Sequence, residues 1–338
     1  MRILLLLLFF TSLQSQSNYN SLQNLFIEWR KFENPPLLNG APDYTKKQFN
    51  KRKSVFNKLQ KKLNNIDTTN WSKSKQVDWQ IIEAEMNGYD FNFRVLKSWI
   101  RDPAFYQTIW MYQSDVPAHE GPVNHALLEY WQYTFPLNKQ AKEKFHRELA
   151  LIPAFLEQAK QNLTGNARDL WVAGINNLRD QTKYLNTIEK TLNEYQDKKK
   201  DKSIFEALQN AKVANNKFIR WLESEAPKKN GPSGIGKENY TWYQQNVHRV
   251  PLTWEEEVQL LQRELDRAWS SLKLEEERNK KLPLMKSADT PDEFKVLTDN
   301  AVKKMMRFLS ENDIMYIKDN MEPALREHMG KYVPKDDR

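Results

Sequence analysis

The chain has 338 residues, enough for one large domain or two ordinary ones with a sizeable apolar core. It contains no cysteine, which excludes a disulfide framework and a thiolate zinc site, so an exported form must be held by its core alone. The formal charge is +8, with 52 Lys and Arg against 44 Asp and Glu.

The chain opens with the pattern of an export signal. Arg2 supplies a positive start, Ile3 to Phe10 form an apolar run, and Ser15-Gln16-Ser17 offers a small-x-small cleavage site, so residues 1–17 read as a removable signal peptide. The run is far shorter than the roughly 20 residues that span a bilayer, and none like it recurs, so the mature chain is expected to be soluble, without a transmembrane segment. With no cysteine after the leader, no lipid-anchor site is expected either. Localisation is read as the periplasm or the extracellular space.

Helical spacing of apolar residues follows nearly everywhere. It is carried by Leu22 to Phe32, Val77 to Trp99, Ala141 to Leu163, Ala167 to Tyr195, Ile204 to Leu222, Val258 to Leu274 and Phe294 to Leu309, while strand-like alternation is nowhere sustained. Thr253 with Glu256, Thr290 with Pro291 and Glu293, and Ser203 with Glu206 supply capping chemistry. Breakers fall at Asn34 to Pro42, Asp115 to Pro122, Phe135-Pro136, Tyr195 to Lys202 and Pro227 to Asn239. The fold class is therefore all-α, a large irregular multi-helix domain without a repeat of fixed period. Its parts are an N-terminal helical region (18–226), a glycine-rich connection (227–239) and a C-terminal helical region (240–338) packed on the first.

Between Tyr44 and Ile66 lie Lys46, Lys47, Lys51, Arg52, Lys53, Lys58, Lys61 and Lys62 and no acid. Such a stretch can attract nucleic acid or an anionic surface. Phe49, Phe56, Leu59, Leu63 and Ile66 run through it at helical steps, so it equally reads as an amphipathic helix with a solvated basic face. No recognition motif for nucleic acid accompanies it, and no nucleic-acid partner is expected.

The remaining constellations are weak as chemistry. Gly231 to Lys237 fits the GxxxxGK frame of a phosphate loop, but Glu238 stands where a magnesium-binding hydroxyl belongs and the preceding Phe218 to Glu225 reads as helix, so a flexible connection is expected. His119-Glu120 with His125 has the residue types of a zinc-peptidase motif at the wrong spacing, six instead of four, with Gly121-Pro122 between. His146, His248 and His328 stand alone. The eleven tryptophans sit mostly on helical stripes and read as core. Tyr240-Thr241-Trp242-Tyr243 with His248 differs, because polar-tipped aromatics there follow a glycine-rich loop. No catalytic residue and no metal ligand is assigned.

Four stretches resemble the amino-terminal half of the bacterial family called domain of unknown function 885. They are Val77-Asp78-Trp79 through Arg101-Asp102-Pro103-Ala104-Phe105-Tyr106; Ile152-Pro153 through Leu163-Thr164 and Arg168 to Trp171; Gly234-Ile235-Gly236 through Tyr240, Trp242-Tyr243 and Val247; and Pro251 to Glu257. The resemblance implies an exported, almost entirely helical protein about twice this length, whose other half carries an HExxPGHH-like segment and looks like a zinc metallopeptidase. That segment is nowhere in this chain, so the resemblance implies a fold incomplete at its C-terminal end, inactive alone, with zinc only in a missing half. Tyr240, Tyr243 and His248 would then line a substrate cleft. The alternative is a complete noncatalytic exported protein that binds a peptide, glycan or protein partner. A third reading, a hydrolase with an unrecognised carboxylate pair, needs no visible motif.

Overall fold

The computed structural model describes residues 2–113, 126–283 and 287–335, with side chains from residue 18. His119, Glu120 and His125 lie outside the described residues. The helices are α1 (Arg2–Glu33), α2 (Lys46–Asn64), α3 (Lys73–Phe91), α4 (Ser98–Arg101), α5 (Lys139–Asn162), α6 (Arg168–Tyr195), α7 (Lys202–Glu225), α8 (Lys237–Tyr243), α9 (Trp254–Asn279), α10 (Pro291–Glu311) and α11 (Met321–Glu327). Two-residue strands β1 (Leu37–Leu38) and β2 (Ala41–Pro42) pair antiparallel, and β3 (Ile109–Trp110) and β4 (Leu128–Glu129) pair parallel. The protein is all-α, as expected. Among the described residues no helix is long and apolar enough to cross a membrane.

The chain divides into two compact units, 1–260 and 261–338, with the division inside α9. The first unit has two apolar clusters. In one, Leu22, Leu25 and Trp29 of α1 meet Phe56, Leu59 and Leu63 of α2 and Ile82 and Met86 of α3. These residues recur at three- and four-residue steps, which puts each set on one helix face. Thr45 and Ser72 start α2 and α3 by accepting from the amides of Gln48 and Lys75.

The other cluster is built on α5, α6 and α7, from Phe145, Leu149, Ile152 and Leu156, from Trp171, Leu178, Leu185 and Leu192, and from Ile204, Leu208, Phe218 and Leu222. Aromatic rings from earlier in the chain complete this cluster: Phe49 of α2 stacks on Trp99 at 3.8 Å, and Tyr44 meets Phe105 edge-on at 4.7 Å. The hairpin between β1 and β2 turns on Asn39 and Gly40, both at positive φ (54° and 89°), the conformation that a tight two-residue turn requires.

Buried amides hold the irregular segments to this second cluster. Gln181 is fully buried in α6; its Oε1 accepts from the amides of Thr108 (2.7 Å) and Ile109 (3.1 Å), and its Nε2 donates to Asn215 Oδ1 at 2.8 Å. Asn215 Nδ2 in turn donates to Leu178 O and Thr182 Oγ1. Gln158 of α5 does the same for the segment before α2, accepting from Tyr44 N and donating to Pro42 O. Ser203, expected to cap α7, lies inside its first turn; the preceding Asp201 binds Lys142 of α5 at 2.7 Å instead.

The second unit is built on α10 and α11. Thr290 accepts from Glu293 N, the cap expected from sequence, and Glu293 in turn accepts from Asp289 N, one residue before the cap. Arg326 of α11 pairs with Asp299 of α10 and with Glu322.

Gln181→Leu strands two backbone amides and the Asn215 amide in the core, so unfolding stability in urea should fall by about 3 kcal/mol. A loss under about 1 kcal/mol would mean that this network does not hold β3 to the helices.

Candidate functional site

The glycine-rich segment is pinned. Helix α6 begins after Ala167, whose side chain cannot cap it, and Ser233 supplies the cap from 64 residues away: its Oγ accepts from Asp169 N (2.8 Å) and Leu170 N (3.3 Å). Arg168 N donates to Gly231 O (3.1 Å), and Gly231 N donates to Asn166 Oδ1 (2.8 Å). Gly231 must be glycine, since a Cβ there would stand 2.5 Å from Asn166 O. Arg101 Nη2 donates to Pro232 O (3.0 Å) and Ser233 O (3.2 Å), and Gly165 N donates to Ile100 O (2.8 Å). Lys229 Nζ reaches Gly165 O at 2.9 Å and lies 4.2 Å from the centre of the Trp171 ring. Desolvation lowers the pKa of that ammonium.

This geometry replaces the flexible connection expected from sequence. It also disposes of the phosphate-loop frame: Gly231 N and the Ser233 hydroxyl are engaged by Asn166 and by the start of α6, and α7 feeds the loop where a strand would be required.

Beyond the loop, Gly236 at φ 81° starts α8, which continues into a π-helical turn over Gln244–His248 and ends at Arg249 in the left-handed region, φ 59°. A matching π-turn, Asn92–Leu96, closes α3 and ends at Lys97, φ 49°. Asn87 Nδ2 donates to Asn246 O (3.1 Å), Val247 sits against Gly88, and Arg249 pairs with Glu83. Phe91 stacks on Trp242 (centroids 5.5 Å, planes 7° apart) and approaches Tyr243 at 4.8 Å, with the Arg94 guanidinium 5.2 Å from the Trp242 ring centre.

The three residues singled out from sequence occupy different positions on this shelf. Tyr243 is half-buried and its ring lies 4.9 Å from that of His248, which is exposed. Tyr240 is half-buried and engaged: its hydroxyl donates to Glu257 Oε2 (2.8 Å) and accepts from Gln244 Nε2 (2.9 Å). The hydrogen bond to Glu257 is the main cause of its raised pKa. Sequence reasoning missed Phe91, Arg94, Asn87 and Glu83, which reach the shelf from α3 and its π-turn. Helical spacing marks Phe91 as an apolar-face residue, but nothing in a single sequence links it to Trp242.

Among the described residues no group of three His, Asp or Glu side chains is placed to hold a metal ion.

Residues 38–335 match the family described as "Bacterial protein of unknown function (DUF885)". The chain belongs to this family. No curated protein matches it. Its fold is similar to a solved structure described as "a putative lipoprotein of unknown function from Shewanella oneidensis", with a TM-score of 0.55 and 15% sequence identity. The similarity covers 91% of this chain and 58% of that one, so this chain spans little more than half the length of its structural neighbour.

Two measurements test the framework. Ser233→Ala removes the side-chain cap of α6 and should cost about 1 kcal/mol in chemical unfolding, with Ser233→Thr retaining most of the stability. The second concerns Asp102, half-buried, whose Oδ1 accepts from Ala104 N at 2.9 Å. Desolvation raises its pKa above the usual carboxylate value despite that bond and the nearby Arg101. An acid with a raised folded pKa favours the folded state most when protonated, so its contribution declines as pH climbs upward from the ordinary carboxylate value. Asp102→Asn keeps the acceptor and removes the charge. The variant should gain on the parent in parallel thermal melts as pH rises from the ordinary carboxylate value of about 4, and a difference that stays constant with pH would refute the assignment.

Proposed function

We propose that this chain is the substrate-orienting helical part of an exported protein and works with a further structural half that packs on its open apolar face. One observation carries the reading. Leu261 (60% exposed), Leu265, Trp269 (53% exposed) and Leu272 form a stripe along α9, and Leu297, Met305 and Phe308 stand exposed on α10. Steps of three, four and seven residues give an amphipathic helix a buried side, and here that side is uncovered. The limited share of the Shewanella oneidensis chain that this fold covers agrees with it. That neighbour's description as a lipoprotein, together with the leader-like start of this chain, supports export.

In this reading Tyr243 and His248 offer a ring face and an imidazole to a peptide, while Tyr240 holds the shelf in place through Glu257. The described residues do not fit a zinc ion, and no step is routed through one here; zinc belongs to the reading only with the further half, where metal-assisted attack of water on a peptide carbonyl is the expected chemistry. The noncatalytic alternative rests on the same exposed His248 and differs in needing no second half.

The test is the intact mass of the protein from its native source, followed by a peptidase assay with added zinc. A mass well above that of this chain, with hydrolysis in the native form that falls on His248→Ala, is the expected result. A native protein of this chain's mass, monomeric and binding peptide without cleaving it, would replace this reading with the noncatalytic one. The triple variant L261Q/L265Q/W269Q should leave the stability of the isolated chain within about 0.5 kcal/mol per site, because those side chains are already in water.

A further inference from the structure

Helix α2 separates its cations by kind. Its one arginine, Arg52, is buried, donating to Phe32 O and lying over the Phe32 ring at 4.5 Å. Lys46, Lys47, Lys51, Lys53, Lys58 and Lys61 are all exposed, and among the described residues none has a carboxylate partner; Lys62 alone does, in Glu28. At 100° per residue these six lysines fan across the half of the helix opposite Arg52, Phe56, Leu59 and Leu63. Asn50, Ser54 and Asn57 run down the middle of the fan, and with Lys53, Lys58 and Lys61 they line a shallow hollow of about 510 Å³.

The fold itself works against this arrangement. Lys46 and Lys47 sit in the first turn, where the helix dipole is positive, and no acid offsets them. Lys47 and Lys51 are four residues apart, as are Lys58 and Lys62, so like charges face each other along the helix. Lys53 lies over the Phe93 ring at 5.4 Å, but among the described residues no carboxylate pairs with these six lysines, and an opposing layer of negative charge would relieve the repulsion.

We propose that the exposed face of α2 docks the protein on an anionic lipid bilayer. The chemistry on the face favours lipid over nucleic acid. Recognition of nucleic acid leans on arginine forks and on aromatic rings that stack with bases, and the exposed face of α2 has neither: its arginine is turned inward and its only exposed apolar side chain is Val55. Lysines on long stems, acting as point charges around a strip of amide and hydroxyl donors, suit a field of phosphate headgroups. The helix is about 28 Å long, so several headgroups fit beneath it.

The test is flotation of the full chain with vesicles of phosphatidylglycerol mixed with phosphatidylcholine, beside vesicles of phosphatidylcholine alone. Any contribution from the apolar leader is common to both vesicles and to every variant. Binding should require phosphatidylglycerol and weaken as salt is raised. K58Q/K61Q should lower the affinity on the order of tenfold, and K47Q/K51Q/K58Q/K61Q should abolish the preference for the anionic vesicle. K58R/K61R should bind like the parent, and circular dichroism should show all variants folded, since the replaced residues are exposed. Equal binding to both vesicles, or a quadruple variant that binds like the parent, would overturn the proposal. So would capture of the chain by duplex DNA with no binding to either vesicle.

Discussion

The first unit depends on a helix that cannot start itself. Helix α6 carries one wall of the larger core, yet the residue before it is Ala167, whose side chain offers its first amides no acceptor. Ser233 supplies the acceptor, and to do so the glycine-rich loop must lie across the start of α6. Once Ser233 is placed, Arg101 can reach the carbonyls of Pro232 and Ser233, and Gly231 must admit no side chain. The direction in which α8 leaves the loop is set by the same contacts. One missing cap thereby ties together residues near 100, 166 and 232.

This bears on what the family-like residues do. Arg101, Arg168 and Gly234 belong to the stretches that resemble the family, and in the structure Arg101 and Arg168 meet the 229–234 loop. Their chemistry is consumed in satisfying backbone groups. The residues after the loop are placed differently, where α8 and its π-turn lie on the end of α3. A π-turn widens the helix by one residue per turn and offsets the side chains after it, a device common at functional sites. Here it ends at His248, exposed beside Tyr243.

Sequence reading recovered the helices because their apolar spacing is strong, and it recovered the Thr253 and Thr290 caps because a capping box is local. Thr253 and Glu256 exchange three hydrogen bonds as expected. It missed what is not local. Ser233 lies 64 residues from the helix it caps, Gln181 reads as an ordinary polar residue of an amphipathic helix, and Asn87 meets the shelf across 159 residues. Ser203 misled because a hydroxyl three residues before a glutamate carries the signature of a cap, while Asp201 and its bond to Lys142 set the real start of α7. The glycine-rich loop misled for a related reason: glycine allows flexibility, but it also allows backbone to approach backbone, and only the approach of Asn166 decides between the two.

The second unit buries little of its own apolar surface. Among its described residues only Ala288 and Val302 are buried, so its helices are held by the Thr290 cap, the ion pairs of Arg326 and the bond from the Tyr332 hydroxyl to Asp289 O. Exposed ion pairs contribute about 0–1 kcal/mol each, and a cap about 1 kcal/mol. Ordering the backbone costs about 1–2 kcal/mol per residue, which only apolar burial on a large scale offsets. The apolar residues needed for that burial are present, at helical spacing, on the exposed sides of α9 and α10. Kept in phase along two helices and left exposed, these residues are the observation on which the proposed further half rests.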